Sequence, residues 1–363
     1  MKVFIRVDAS LKMGTGHVMR CLTLAHVLKE SNMQVNFICR KHDGNLIDKI
    51  RINGFNVFEL KPPIGRQYGT KFTYLHWLEV TQKQDAVDCI AVVSKIKADL
   101  IIVDHYGIGE EWHRYLKEYC NKLMVIDDLA DRKFICDILL NQNLGIKEKA
   151  YKNKVPSDCC LLLGSDYALL RSEFLRLRDQ ALYKRRKIST INNVLISMGG
   201  NDPKNITYDI LQKIENDINI TVVLGLGSPH IEMIKEYAAY KNIKIIVDAN
   251  NMAELMLASD LAIGAGGSTS WERCCLGLPT VLLILAENQQ KIGDNLARIG
   301  AVIALKYDNI AKDSVKDAMT ILMKNKNKYT RMCNISAKIC DGKGAKRVTG
   351  KILSVCFEKR NDI

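Results

Sequence analysis

Along this chain short runs rich in Val, Ile and Leu keep alternating with segments whose apolar residues recur at helical spacing. That alternation is the sequence form of a parallel sheet wrapped by helices, so the expected class is α/β. In the first half the strand candidates are Val3 to Val7, Gln34 to Cys39, Asn56 to Leu60, Leu100 to Val103 and Lys122 to Ile126, with shorter ones at Asp137 to Leu140 and Cys159 to Leu163. The first helical pattern covers about His17 to Lys29, where Val18, Leu22, Ala25 and Leu28 share a face. A second series opens near Asn193 and continues at Ile220 to Leu224, Ile243 to Val247, Leu261 to Ile263 and Thr280 to Leu283.

A chain of 363 residues exceeds what one core normally organises, and the strand rhythm breaks over Asp166 to Ile191, where a charged helical stretch intervenes. The expected organisation is two Rossmann-type, doubly wound domains with an inter-domain cleft. Residues 1–165 form the first, 166–191 a linker, 192–330 a nucleotide-binding domain and 331–363 a helical tail. No run of about 18 uncharged apolar residues occurs, so no membrane span is expected. The N-terminus lacks an apolar signal core, which points to the cytoplasm.

Twelve cysteines without any C-x-x-C spacing read as reduced thiols, and the seven dispersed histidines give no helical zinc pair; no metal is expected. A formal charge of +13 raises nucleic acid as a partner. The lysines are spread out, however, and the densest cluster, Lys184 to Lys187, has no aromatic-rich RNA-binding signature beside it. The cluster reads as a solvated linker surface, and no nucleic-acid partner is expected. Oligomeric state is left open.

In open α/β sheets ligands bind beyond the carboxyl ends of strands, and three glycine-rich loops occupy such places: Gly14-Thr15-Gly16, Gly199-Gly200 and Gly264 to Ser268. Each could hold an anion on free backbone N–H groups, or be an ordinary tight turn. None supplies G-x-x-x-x-G-K-[ST], which argues against an ATP-hydrolysing P-loop, and none completes the dinucleotide fingerprint. Asp202-Pro203 marks a helix start. In the third loop Ser268 or Thr269 can cap a short helix that Gly277 and Pro279 end, and Glu272 falls in its first turn. A carboxylate there suits the vicinal hydroxyls of a ribose; the alternative is that it complements the helix dipole. His17 between the first glycines and the first helix has the place of a general base, or else of a helix-cap or core histidine. His26, on the helix body, reads as structural. Asp8, on the preceding loop, is the carboxylate expected to orient the His17 ring.

Two stretches carry a resemblance. Arg6 to Ala25 reads R-x-D-A-S…G-T-G-H-x-M-R-C-L-x-L-A, and Gly267 to Pro279 reads G-S-T-x-W-E-x-x-x-L-G-x-P, followed by Ala286-Glu287-Asn288-Gln289. With them the chain resembles, over most of its length, the UDP-sugar hydrolases of pseudaminic acid biosynthesis. More distantly it resembles the GT-B glycosyltransferases that add N-acetylglucosamine to lipid-linked muropeptide, so the resemblance implies a GT-B-like fold. It also implies hydrolysis of UDP-2,4-diacetamido-2,4,6-trideoxy-β-L-altropyranose to UDP and the free amino sugar, with inversion and with neither metal nor cofactor. Matched position by position, His17 becomes the catalytic base. Arg171, Glu272 and Asn288 become substrate-binding residues, and Tyr106 borders the sugar. Gly14, Gly16, Gly199, Gly200, Gly267, Ser268, Thr269 and Gln289 complete the expected substrate-binding set. The chain departs from the family at Leu11-Lys12-Met13, a more basic approach to the glycines. Two rivals share these features: a glycosyltransferase using a UDP-sugar donor, and a non-catalytic nucleotide-sugar-binding regulator.

Overall fold

Val3, Ile5 and Val7 of the first strand, β1 (Lys2–Val7), pack into one apolar layer while Phe4 between them packs into another. A strand whose alternate residues are buried on both sides belongs at the centre of a sheet covered by helices on each face. In this computed structural model, which describes residues 1–63, 74–214, 218–241, 243–307 and 314–357, β1 is such a strand. The chain divides into two units, Met1–Leu169 with Gly344–Ile363, and Leu170–Lys343.

The first unit adds β2 (Gln34–Arg40), β3 (Asn56–Leu60), β4 (Ala98–Asp104), β5 (Cys120–Ile126), β6 (Ile138–Asn141) and β7 (Cys160–Leu163). All pair in parallel, in the order β3-β2-β1-β4-β5-β6-β7. Helices α1 (Gly16–Glu30) and α2 (Ile47–Ile52) cover the face of Val3, Ile5 and Val7; α3 (Gln82–Val93) and α4 (Glu110–Leu116) cover the face of Phe4.

The second unit opens with α5 (Ser172–Lys187) and repeats the plan. It contains β8 (Asn193–Ser197), α6 (Ile206–Leu211), β9 (Asn219–Leu224), α7 (Ile231–Lys241), β10 (Lys244–Val247), α8 (Met252–Ala258), β11 (Leu261–Ala265), α9 (Thr269–Cys275), β12 (Thr280–Ile284), α10 (Glu287–Arg298), β13 (Ile303–Lys306), α11 (Ser314–Lys324) and α12 (Lys326–Ile339). Its sheet is also parallel, in the order β10-β9-β8-β11-β12-β13. Each sheet therefore reverses its winding once, between β1 and β4 and between β8 and β11. Loops leaving the carboxyl ends of those strands flank a crevice of the kind that binds ligands in this architecture.

The stretch expected as a linker is mostly α5, a built-in part of the second unit. Arg178 donates to the carbonyls of Cys275, Ala337 and Cys340. The basic cluster at its end is only partly a solvated surface. Arg185 is buried and donates to the carbonyls of Ser259 and Met256, while Lys184 pairs with Asp260 at 3.0 Å and reaches the carbonyls of Leu257 and Ala258. These are the last carbonyls of α8, where cations are favoured.

The expected tail is divided as well. Helix α12 stays in the second unit, whereas α13 (Gly344–Phe357) belongs to the first, with Ala345, Val348 and Ile352 in the layer that includes Val18 and Leu22 of α1. Residues 358–363 of that tail lie outside the described residues. Gly344 lets α13 lie against backbone: a Cβ there would stand 2.2 Å from the carbonyl oxygen of Ala168. Gly344→Ala is therefore expected to destabilise the first unit by about 1–3 kcal/mol, the usual cost of forcing atoms into packed space. Thermal denaturation of the variant checks this, and an unchanged midpoint would contradict it. No helix among the described residues is long and apolar enough to cross a membrane.

Candidate active site

In β4 Leu100 and Ile102 face the layer under α1 while Ile101 and Val103 face the other side. The same alternation turns Asp104, the last residue of the strand and the register partner of Val7, toward α1. His17 stands in the first turn of that helix, directly after Gly14-Thr15-Gly16, and its Nδ1 lies 2.7 Å from Asp104 Oδ1. Burial alone would raise the Asp104 carboxyl, but Arg20 and His17 hold it well below the usual carboxylate range. The ionised group can only accept, so His17 Nδ1 donates to it, and in a neutral imidazole that tautomer puts the free lone pair on Nε2.

Arg20, one turn on from His17, binds the same carboxylate with two nitrogens, Nε to Oδ2 at 2.6 Å and Nη2 to Oδ1 at 2.7 Å. Its Nη1 reaches Asp128 Oδ2 at 2.6 Å, which also accepts the Tyr106 hydroxyl at 2.6 Å. The forked guanidinium thus fixes both carboxylates in one plane of contact. Burial, with Asp128 beside it, pushes the Tyr106 phenol up, so this hydroxyl stays a donor. The Tyr106 ring meets the His17 imidazole edge-on with centroids 4.6 Å apart.

Asp8 does not orient His17. Strand alternation sends it, with Arg6 and Phe4, to the face covered by α3, opposite α1. There its Oδ1 accepts from Arg6 Nη1 at 2.5 Å and from the backbone N–H of Arg40 at 2.7 Å. Its Oδ2 is 3.4 Å from His42 Nε2 and 3.6 Å from His105 Nε2. Asp8 is a structural carboxylate, and Asp104 has the position that was expected of it.

In the second unit the loops after β8, β11 and β12, neighbours in the sheet, bring the other expected residues to one edge. Gly199 and Gly267 adopt φ of +94° and +140°, conformations that L side chains rarely take, and both face open space. Gly200 is held from behind: its carbonyl oxygen lies 2.1 Å from where a Cβ on Gly225 would stand, so the loop after β9 packs directly on it. Asp202 works as a cap four residues before the first residue of the helix rather than next to it. Its two oxygens accept the N–H groups of Ile206 and Thr207 at 2.9 Å, and Asn205 turns left-handed to allow this.

Ser268 precedes α9 without making a side-chain cap, so its exposed hydroxyl remains available; Thr269 accepts from Arg273 Nη1 at 3.4 Å. Glu272 and Arg171, 101 residues apart in sequence, approach to 3.6 Å. Arg171 also pairs with Glu173 at 3.1 Å and lies over the Phe174 ring. Burial raises the Glu272 carboxyl despite the nearby guanidinium. Asn288 is exposed in the first turn of α10, inside the helix and not at its cap; Gln289 Oε1 instead accepts the backbone N–H of Leu285 at 3.0 Å. Its Cβ lies 3.1 Å from where a Cβ on Gly266 would stand.

Asp104, Arg20 and Asp128 are the residues that motif reading passed over, together with two rings on the stretch before α3. Trp77 stacks on Tyr106 at 5.4 Å, and Tyr74 meets both at 4.8 and 5.3 Å. Alternation in Leu100-Ile101-Ile102-Val103 would have pointed Asp104 to the α1 side; nothing periodic marks Tyr74 or Trp77.

Residues 173–348 match the glycosyltransferase family 28 C-terminal domain. An uncharacterized protein of Methanocaldococcus jannaschii is 32% identical over 306 residues, 81% of this chain, and the chain spans 58% of that protein's length. The UDP-2,4-diacetamido-2,4,6-trideoxy-beta-L-altropyranose hydrolase of Campylobacter jejuni is 29% identical over 309 residues, covering 85% of this chain and all of that protein. The spore coat polysaccharide biosynthesis protein SpsG of Bacillus subtilis is 26% identical over 99% of both chains. Among solved structures, MurG of Acinetobacter baumannii superposes with a TM-score of 0.68 at 16% identity, over 97% of this chain and 99% of that one. At such identity the likeness speaks for the fold, which is GT-B-like: two Rossmann-type units in one chain. The chain is similar to the Campylobacter hydrolase along the whole length of that protein, and the match to the glycosyltransferase family 28 C-terminal domain falls almost wholly on its second unit.

Proposed function

We propose that this protein hydrolyses UDP-2,4-diacetamido-2,4,6-trideoxy-β-L-altropyranose to UDP and 2,4-diacetamido-2,4,6-trideoxy-L-altropyranose. The observation that carries the reading is the His17–Asp104 pair, which gives a neutral imidazole one tautomer and leaves Nε2 as the acceptor for a proton. The name of the Campylobacter relative supplies the substrate. Water attacks C1, His17 Nε2 takes its proton, and the bond from C1 to the β-phosphate oxygen breaks with its electron pair leaving on UDP. One displacement inverts the anomeric centre.

UDP needs less acid assistance than an alcohol leaving group, and its charge is matched here by dipoles and a cation: the N–H groups of the Gly199-Gly200 and Gly267-Ser268 loops and the Arg171 guanidinium. Glu272 accepts from the ribose hydroxyls, with Asn288 and Gln289 beside them on α10. The reading assigns no metal and no cofactor. Conserving the fold while replacing water by an acceptor alcohol would give the transferase alternative. The muropeptide N-acetylglucosaminyltransferase of Acetivibrio thermocellus aligns with 47% of this chain, against 85% for the hydrolase.

Incubation with candidate UDP-sugars in ¹⁸O-water, without any acceptor, tests the reading. UDP release with label in the free sugar is the expected result, because carbon–oxygen cleavage puts the solvent oxygen on C1. Label in the phosphate, or UDP release that waits for an added alcohol, would reject it.

A further inference from the structure

With Nδ1 committed to Asp104, a nucleophile can give its proton to His17 only at Nε2, and the residue is 9% exposed. What surrounds that base is unusually aromatic. Tyr106 meets the imidazole edge-on at 4.6 Å, and Trp77 lies 6.2 Å away at 77°. Trp77 and Tyr106 are near parallel, with 17° between their planes, and Tyr74 closes edge-on against both.

The wall is stiff. Tyr106 is tied through its hydroxyl to Asp128, which Arg20 and Asn143 hold in turn. Trp77 ends a single-turn helix, Leu75–Trp77, that is followed by the fully buried Leu78 and, after a bend with Glu79 at φ +56°, by α3, whose first turn Thr81 caps. The three rings are not simply core: Tyr74 and Trp77 are half-buried, and neither is among the residues of the two apolar layers of this unit. Tyr106 and Trp77 have no proton chemistry to offer, since the Tyr106 proton is already donated and indole has no acid or base function near neutrality. What rigid rings beside a base can do is set the size of the molecule that reaches it.

We infer that the Tyr74–Trp77–Tyr106 wall restricts the nucleophile at His17 to water, and so decides hydrolysis over glycosyl transfer in this chain. The inference rests on the hydrolase reading above and names the residues that give it its acceptor specificity. Hydrolysis and transfer balance identically: the C1–oxygen bond to UDP breaks with its electron pair on UDP, a new C1–oxygen bond forms, and the nucleophile's proton passes to Nε2. Water and an alcohol differ in that step only by the carbon substituent, and a close-fitting apolar wall discriminates such groups by roughly 10–200-fold per methylene.

The test uses the full-length protein with the UDP-sugar it turns over, in buffer containing ethanol or glycerol, with free sugar and alkyl glycoside quantified by mass spectrometry against UDP released. The wild type is expected to give free sugar with glycoside below about 1% of turnover. Trp77→Ala should raise the glycoside fraction at least about tenfold, and Trp77→Phe should restore it toward the wild-type value. Because the readout is a product ratio, a general loss of rate does not imitate it. Wild-type protein that forms glycoside in proportion to the alcohol's share of the solvent overturns the proposal, as does a Trp77→Ala protein that releases UDP with an unchanged ratio. If Trp77→Ala releases no UDP, Tyr74→Ala is read by the same criterion. Absence of UDP release by the wild type in alcohol-free water is a different result, and it strikes the hydrolase reading itself.

Discussion

His17→Ala is expected to lower turnover of the UDP-sugar by at least about a hundredfold while UDP still binds with affinity close to that of the wild type. General bases contribute about 10² to 10⁴ in rate, and the residues assigned to the nucleotide are carried by the second unit, on loops that do not involve His17. The loss should therefore fall on kcat, with UDP affinity by calorimetry as the control. Near-native turnover in His17→Ala would remove the imidazole from the mechanism. Turnover loss accompanied by lost UDP binding and a lowered denaturation midpoint would point to misfolding instead.

Much of this arrangement is legible in the amino-acid order because β/α alternation is a local signal. The positions of β1 through β12 follow from runs of Val, Ile and Leu that need no long-range information to identify. The strand that escapes, β13, is four residues long and at most half-buried, although it lies in the apolar run Ala301 to Leu305 after Gly300, a signal the reading passed over. The error at 166–191 has a different origin. A stretch rich in Arg and Lys reads as solvated, yet Arg178 and Arg185 turn their guanidinium groups onto backbone carbonyls of the second unit. Charge by itself does not say whether a cation faces water or a helix end.

The site divides the same way. His17 and the glycines belong to contiguous motifs, and Glu272 to a short helix whose stop signals are explicit. Asp104 is 87 residues from His17, and only the register of β4 against β1 makes the two neighbours. Asp8 is nearer in sequence and wrong in face: one residue of a strand separates the two sides of a sheet, so proximity along the chain misleads where parity does not. Tyr74 and Trp77 lie in an irregular stretch with no period to betray which way they point.

Asp85→Ala is expected to cost the first unit about 3–5 kcal/mol, because it removes the carboxylate that two buried cations share and leaves Arg6 with Asp8 alone and Arg40 with Asp88 and the Lys61 carbonyl. This fully buried carboxylate of α3 accepts from Arg6 at 2.6 and 3.0 Å, from Arg40 at 2.8 and 3.2 Å, and from the Trp112 indole N–H at 2.9 Å. Burial alone would raise its pKa, but the two guanidinium groups hold it at about 2. A carboxyl depressed below its unfolded value near 3.9 stabilises the fold fully above that value. The contribution is lost as pH falls toward about 2, where the folded group also takes up a proton. Urea denaturation followed by tryptophan fluorescence should show the difference between wild type and variant at pH 7, and should show it shrinking as the solution is acidified through that window. A difference below about 1 kcal/mol at pH 7 would mean that Asp8 and Asp88 suffice to hold Arg6 and Arg40. The same outcome would weaken the case for a preorganised site, since Arg6 also holds Asp8 and, through the sheet, the end of β1 from which the His17 loop departs.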